Sequence, residues 1–157
     1  YCRRADPAIA RVATALEAGD VAGAVRAGWD LVGLGPGSTP SGDDVLVGLS
    51  AALFATGHPA ARPFASACAA VAVGRTTDVA ERLHRHAARG EFCERLHRLM
   101  GAILAGAPAR LPAAIATALD WGATSGADGL LGVLLGLRAA VPTTAAVGTA
   151  AVLRGAA

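Results

Sequence analysis

The sequence contains no lysine, asparagine or glutamine, and only 4% of its residues are aromatic. All 14 basic residues are therefore arginine. They are scattered along the chain, the net charge is only +2, and no basic tract of the kind that marks nucleic-acid binding is present. The three cysteines, Cys2, Cys68 and Cys93, are far apart with no Cys-x-x-Cys pair. That argues against a disulfide framework and a zinc ribbon and fits a reducing, cytoplasmic setting. The longest apolar stretches, Val45–Gly57 and Gly129–Leu137, fall well short of the ~20 residues of a membrane span. The first residues, Tyr1 to Asp6, form no apolar run, so no signal peptide is expected.

What is present is alanine, 40 times in 157 residues. Hydrophobic residues reach 54% and charged ones 17%, against roughly 45–50% and 25% in typical domains. Such a chain has ample apolar surface to fold, at a length suited to one domain. Alanine is the best helix former, aromatic residues favour strands, and no segment alternates with period two. The expectation is an all-α, single compact domain over residues 1–157, with eight or nine short helices. Asp6-Pro7 reads as a helix start, Gly19 as its stop and Asp20 as the next cap, for a helix reaching Leu31. Further helices are expected over Asp43–Thr56, from Pro59 to Gly74, over Asp78–Arg89, Glu91–Leu104, Pro112–Trp121 and Ser125–Arg138, and from Pro142 to Leu153. Asp78-x-x-Glu81 reads as a capping box. The stretches 45–56 and 129–137 are apolar on nearly every face and are expected at the centre, with Leu134 buried. The arginines of residues 82–98 are interleaved with glutamates, which predicts the surface pairs Glu81–Arg85, Glu91–Arg95 and Glu94–Arg98 and solvated His84 and His86. Cys93 and His97 have i,i+4 ligand spacing, but no third ligand is placed by the sequence, so both read as ordinary helix positions.

One pattern occurs twice. Ser41-Gly42-Asp43-Asp44 precedes Val45-Leu46-Val47-Gly48-Leu49, and Ser125-Gly126-Ala127-Asp128 precedes Gly129-Leu130-Leu131-Gly132-Val133. Each copy opens an apolar helix with glycine at the same offset, which suits close packing. The first copy ends a loop, Gly33 to Gly42, holding Gly35, Gly37, Thr39 and Ser41. A glycine-rich loop feeding a helix N-terminus offers N–H groups and a positive dipole end to an anion. It lacks the Lys of a Walker loop and the strand of a dinucleotide fold. Asp43 and Asp44 suit Mg²⁺ or the amide protons of a substrate. The competing explanation is local: Ser41-x-x-Asp44 and Ser125-x-x-Asp128 also fit capping boxes, and Thr76-Thr77 fits a cap pair. Capping alone does not call for Gly35-Pro36-Gly37, a second aspartate, or the motif twice.

The run Gly33-Leu34-Gly35-Pro36-Gly37-Ser38-Thr39-Pro40-Ser41-Gly42-Asp43-Asp44 resembles the signature of the AllH-like family. Thr76-Thr77, Ala88-Arg89-Gly90-Glu91-Phe92 and Thr124-Ser125-Gly126-Ala127-Asp128 follow in that family's order. Ser38 departs from the bulky apolar residue usual there. The resemblance covers roughly residues 30–137. It implies the third subunit of an oxamate carbamoyltransferase of allantoin breakdown, acting with two other subunits on oxamate and carbamoyl phosphate. It also implies a region ahead of the helical part that this chain is expected to lack. On this reading Asp43, Asp44 and Asp128 are the candidate catalytic residues, or Mg²⁺ ligands if that ion is bound. Gly35, Gly37, Thr39, Ser41, Gly42, Thr124, Ser125 and Gly126 are the candidate substrate-binding residues, with Thr76, Thr77 and Glu91 as additional candidates. The alternative class is a non-catalytic interaction subunit whose motifs are helix caps. The two motif-bearing helix starts are expected to meet at one shared cleft.

Overall fold

The computed structural model describes residues 2–141. Helix accounts for 72% of them and no strand occurs among them. The elements are α1 (Cys2–Glu17), α2 (Val21–Gly28), α3 (Ser41–Ala55), α4 (Ala61–Ala72), α5 (Asp78–Ala88), α6 (Glu94–Leu104), a short 3₁₀ turn (Pro108–Arg110), α7 (Leu111–Leu119) and α8 (Ser125–Ala140). The helix expected from Pro142 to Leu153 lies outside the described residues.

Several boundaries follow the local signals. Gly19 takes φ of +73°, and the Asp20 carboxylate accepts from the Gly23 N–H at 2.8 Å, ending α1 and capping α2. Others differ. Helix α1 begins at Cys2, with Pro7 inside it, so Asp6 is not its cap. Thr77, not Asp78, caps α5 by accepting from the Ala80 N–H. Helix α6 begins at Glu94 rather than Glu91. Glu91 turns back onto Arg89 and His86 instead, which leaves no i,i+4 pair with Arg95.

Helix α3 runs through the centre, with every residue from Gly42 to Leu53 buried. On one side its residues join α1, α2 and α4 in a cluster around Leu31, Leu46, Leu49 and Phe64. On the other, Val47, Ala51 and Ala52 join α6 and α8 around Leu96, Leu99 and Val133. Its most extensive partner is α8. A Cβ on Gly48 would stand 2.0 Å from the Gly129 carbonyl oxygen, and one on Gly132 would stand 2.0 Å from that of Val45. Only glycine permits backbones this close. Further along, Gly136 meets Leu49. The two helices therefore run in the same direction, with both N-termini at one end. Val45 and Gly129 hold corresponding places in the two motif copies, as do Gly48 and Gly132, so the contact is nearly symmetric.

The expectation of two central helices needs one correction. Helix α8 buries Gly132, Val133, Leu135 and Gly136, but Leu134 is 59% exposed. Its glycine-bearing stripe packs on α3, and among the described residues the side bearing Leu131 and Leu134 is left exposed. Apolar composition around a helix therefore does not make every face an inner one here.

Candidate functional site

Most of the candidate residues gather where α3 and α8 begin. The loop ahead of α3 is shaped by Gly33, Gly35 and Gly37, at φ of +73°, +126° and +93°. Side chains rarely adopt such values. The loop brings the Thr39 hydroxyl to 2.9 Å from that of Ser125, joining the two motif copies directly. Neither Ser41 nor Ser125 acts as a capping box. The N-caps are Pro40 and Thr124, and neither supplies a side-chain capping bond.

The adjacent aspartates have different surroundings. Asp43 is fully buried and both its oxygens are engaged. Oδ2 accepts from the Gly33 N–H at 3.0 Å and from the Thr76 hydroxyl at 2.7 Å, and Oδ1 pairs with His84 Nε2 at 2.8 Å. Asp43 thus ties the loop and α5 to α3. His84 is not solvated but buried. It lies between Ala80 and Ala87 on the inner stripe of α5, and that register, i−4 and i+3 to buried alanines, is the signal that places it inward.

Asp44 is buried as well, and its Oδ2 has no hydrogen-bond partner. Burial pushes its carboxyl from 3.8 up to about 6; the charges of Asp128 and Asp43 add to this, while the hydroxyls of Ser125 and Thr39 partly offset it. The corresponding residue of the second copy, Asp128, also has a buried Oδ2 without a partner, and so does Arg95 at Nη1. Asp44 and Arg95 face one small cavity, of about 20 Å³, with Trp121, Ser125, Gly126 and Gly129. The Arg95 guanidinium lies 5.9 Å from the centre of the Trp121 ring, in cation–π range. A groove of about 250 Å³ adjoins the cavity, sharing Val47, Leu96 and Trp121 and lined further by His86, Glu91 and Phe92.

Asp44, Ser125 and Gly126 thus line the cavity, Thr39 and Asp128 act on Asp44, and Glu91 lines the adjoining groove. Asp43 and Thr76 meet each other in the internal network. Thr77 caps α5 and donates to the Ser38 carbonyl. Gly35 packs against Ser41, and Gly37 and Thr124 are exposed. The helix amides expected to hold an anion are partly committed: the Gly42 N–H bonds the Leu34 carbonyl and the Gly126 N–H that of Trp121. Among the described residues, no group of three His, Cys, Asp or Glu side chains is arranged to hold a metal ion. That includes Asp43, Asp44 and Asp128, so the Mg²⁺ reading gains no support. Sequence reasoning missed Arg95 and placed it on a charged surface. The nearness of Trp121 to the second motif was the one pointer to that side of the cavity. Another groove, of about 900 Å³, lies between α1 and α2 beside Arg11 and Asp30 and holds no motif residue.

The family model described as oxamate carbamoyltransferase subunit AllH matches residues 31–137. No solved structure matches the chain. The matched span runs from the glycine-rich loop through nearly all of α8, taking in both motif copies, the α5 anchor and Arg95, and the chain belongs to the AllH family.

Proposed function

We propose that this chain works as a subunit of an oxamate carbamoyltransferase and binds a small anionic amide substrate where α3 and α8 begin. The observation that carries this reading is the environment of Asp44: buried, beside Asp128, Ser125 and Thr39, with one carboxylate oxygen unpartnered. In carbamoyl transfer the amide nitrogen of oxamate attacks the carbonyl carbon of carbamoyl phosphate. The carbon–oxygen bond to phosphate breaks, and the nitrogen loses a proton. A carboxylate held near pH 6 is suited to accept that proton near neutrality. Burial keeps the Asp44 carboxyl raised, with the charge of Asp128 adding to it, and Thr39 and Ser125 orient the carboxylate. Asp43 acts as the anchor that holds the loop in place.

The subunit family implies other carbamoyltransferase subunits as partners. No helix among the described residues is long and apolar enough to cross a membrane. The test is carbamoyl transfer by the full chain assembled with those subunits. Asp44→Asn should lower kcat by about 10²-fold or more, the scale of a lost general base, with circular dichroism unchanged. Full activity in that variant would remove Asp44 from the chemistry.

A further inference from the structure

The cavity at the start of α3 and α8 has an unusual balance of hydrogen-bonding groups. Asp44 is only 4% exposed, and its unpartnered Oδ2 is a pure acceptor. Across the same cavity Arg95 presents Nη1, a pure donor that is likewise unpartnered. Unsatisfied buried groups of this kind are costly. Behind Asp44, Asp128 adds a second negative charge and a third unpartnered atom. The backbone amides that would favour an anion are committed at Gly42 and Gly126. A carboxylate or phosphate oxygen seated against Asp44 would therefore meet two like charges on that side of the cavity, with Arg95 on the other side the one cation, among the described residues, to offset them. A group offering N–H donors beside a carbonyl oxygen satisfies both free atoms at once. The cavity, about 20 Å³, has room for about one water-sized group, the size of an –NH₂.

We propose that this cavity is the subsite for a primary carbamoyl end, H₂N–C(=O)–, whose N–H is donated to Asp44 Oδ2 and whose carbonyl oxygen accepts from Arg95 Nη1. The inference rests on the functional reading of the site given above and deepens it by fixing which end of the ligand points inward. The remainder of the ligand passes Trp121 into the adjoining groove, which shares Val47, Leu96 and Trp121 with the cavity. Arg95 is then a specificity-determining residue: it reads the carbonyl, while Asp44 rejects an oxygen anion in place of the amide nitrogen.

The chain has two tryptophans, so Trp29→Phe leaves Trp121 as the sole reporter at the cavity. Fluorescence titration of that full-length variant compares oxamate, oxalate and N,N-dimethyloxamate. Oxamate should give a saturable change in Trp121 emission, with oxalate and N,N-dimethyloxamate binding at least tenfold more weakly. Adding Arg95→Gln should weaken oxamate at least tenfold, and adding Asp44→Asn should erase the preference for oxamate over oxalate. Equal binding of oxamate and oxalate would overturn the carbamoyl subsite while leaving an anionic-substrate site at α3 and α8. Unchanged oxamate affinity in Arg95→Gln would also overturn it. Absence of any response to all three ligands would remove both this inference and the functional reading beneath it. The ligand comparison needs no change at Asp44 or Arg95, so a folding defect in either variant leaves it decisive.

Discussion

Helices α3 and α8 open on the same Ser-Gly-x-Asp pattern and touch through glycines at the same offset, yet they occupy different settings. Helix α3 is enclosed on all sides, whereas α8 buries one stripe and leaves Leu131 and Leu134 at the surface. The x position differs too. In α3 it is Asp43, bonded to Gly33, Thr76 and His84; in α8 it is Ala127, which is exposed. The final aspartates, Asp44 and Asp128, do share a condition, a buried oxygen without a partner. The repeated pattern thus specifies the helix contact and the paired carboxylates. The differences between the copies build the surrounding scaffold on the α3 side alone.

The largest expected effect comes from breaking the contact itself. Gly132→Val places its Cβ into the Val45 carbonyl, where neither backbone can yield without parting the helices. It should cost at least ~3 kcal/mol, the upper end of overpacking losses, or abolish the cooperative transition in urea. Gly101→Ala on α6 is the control. Among the described residues, nothing beyond its own stretch of helix lies within 4 Å of its Cβ position, and the variant's stability should rise by about 0.5–1 kcal/mol. Equal losses at the two sites would mean that the contact between α3 and α8 is not what holds the domain together.

The next effect separates the two x positions. Asp43→Ala leaves His84, Thr76 and the Gly33 N–H without their buried acceptor. A loss of about 3–5 kcal/mol is expected, as for removing one member of a buried pair. Thermal unfolding should show it plainly, whereas Ala127→Gly on the exposed side of α8 should cost no more than ~1 kcal/mol. A small loss at Asp43 would show that the loop and α5 are held by other contacts.

Burial supplies a third contrast. Leu49, fully buried on α3, should lose about 2–5 kcal/mol on truncation to alanine. Leu134→Ala on α8 should lose under ~1 kcal/mol, because that side chain is already mostly in water. A large loss at Leu134 in the isolated chain would mean that its face is covered.

The fold was legible where a residue's effect is local. Gly19 and Asp20 punctuate the chain as expected, and alanine richness with no period-two pattern marks an all-helical chain. The duplicated motif also predicted that two helix starts would meet, since glycine at equal offsets is a packing signal readable in one dimension. Leu134 was misplaced because composition says how apolar a helix is, not how many neighbours it has. His84 was misplaced because the charges around it on α5 outweighed the alanines at i−4 and i+3. Arg95 was beyond reach. Its place at the cavity depends on α6 starting at Glu94 and on a tryptophan 26 positions later, and neither follows from local pattern.

The smallest effect has the opposite sign and bears most directly on the site. Asp44 has a carboxyl pushed up to about 6, from 3.8, by burial and by the neighbouring aspartate charges. Between those values the folded chain keeps a proton that the unfolded chain has lost. The contribution of Asp44 to stability is therefore fully present below about pH 4, falls as the pH rises toward 6, and is flat above. Asp44→Asn removes the ionisable group and with it the cost of burying a charge. The variant should be more stable than the parent at pH 7 by on the order of 1–3 kcal/mol, from a shift of about two units. That margin should vanish at pH 4. Surface groups whose carboxyls are lowered, such as Glu81 and Glu91, have the reverse dependence but are common to both chains and cancel in the difference. Urea unfolding at pH 4, 5, 6 and 7 measures it. A variant that gains stability at neutral pH while losing the preference for oxamate over oxalate has the signature of a residue strained for function. A variant that loses stability at every pH would instead mark Asp44 as a structural acceptor, like its neighbour Asp43.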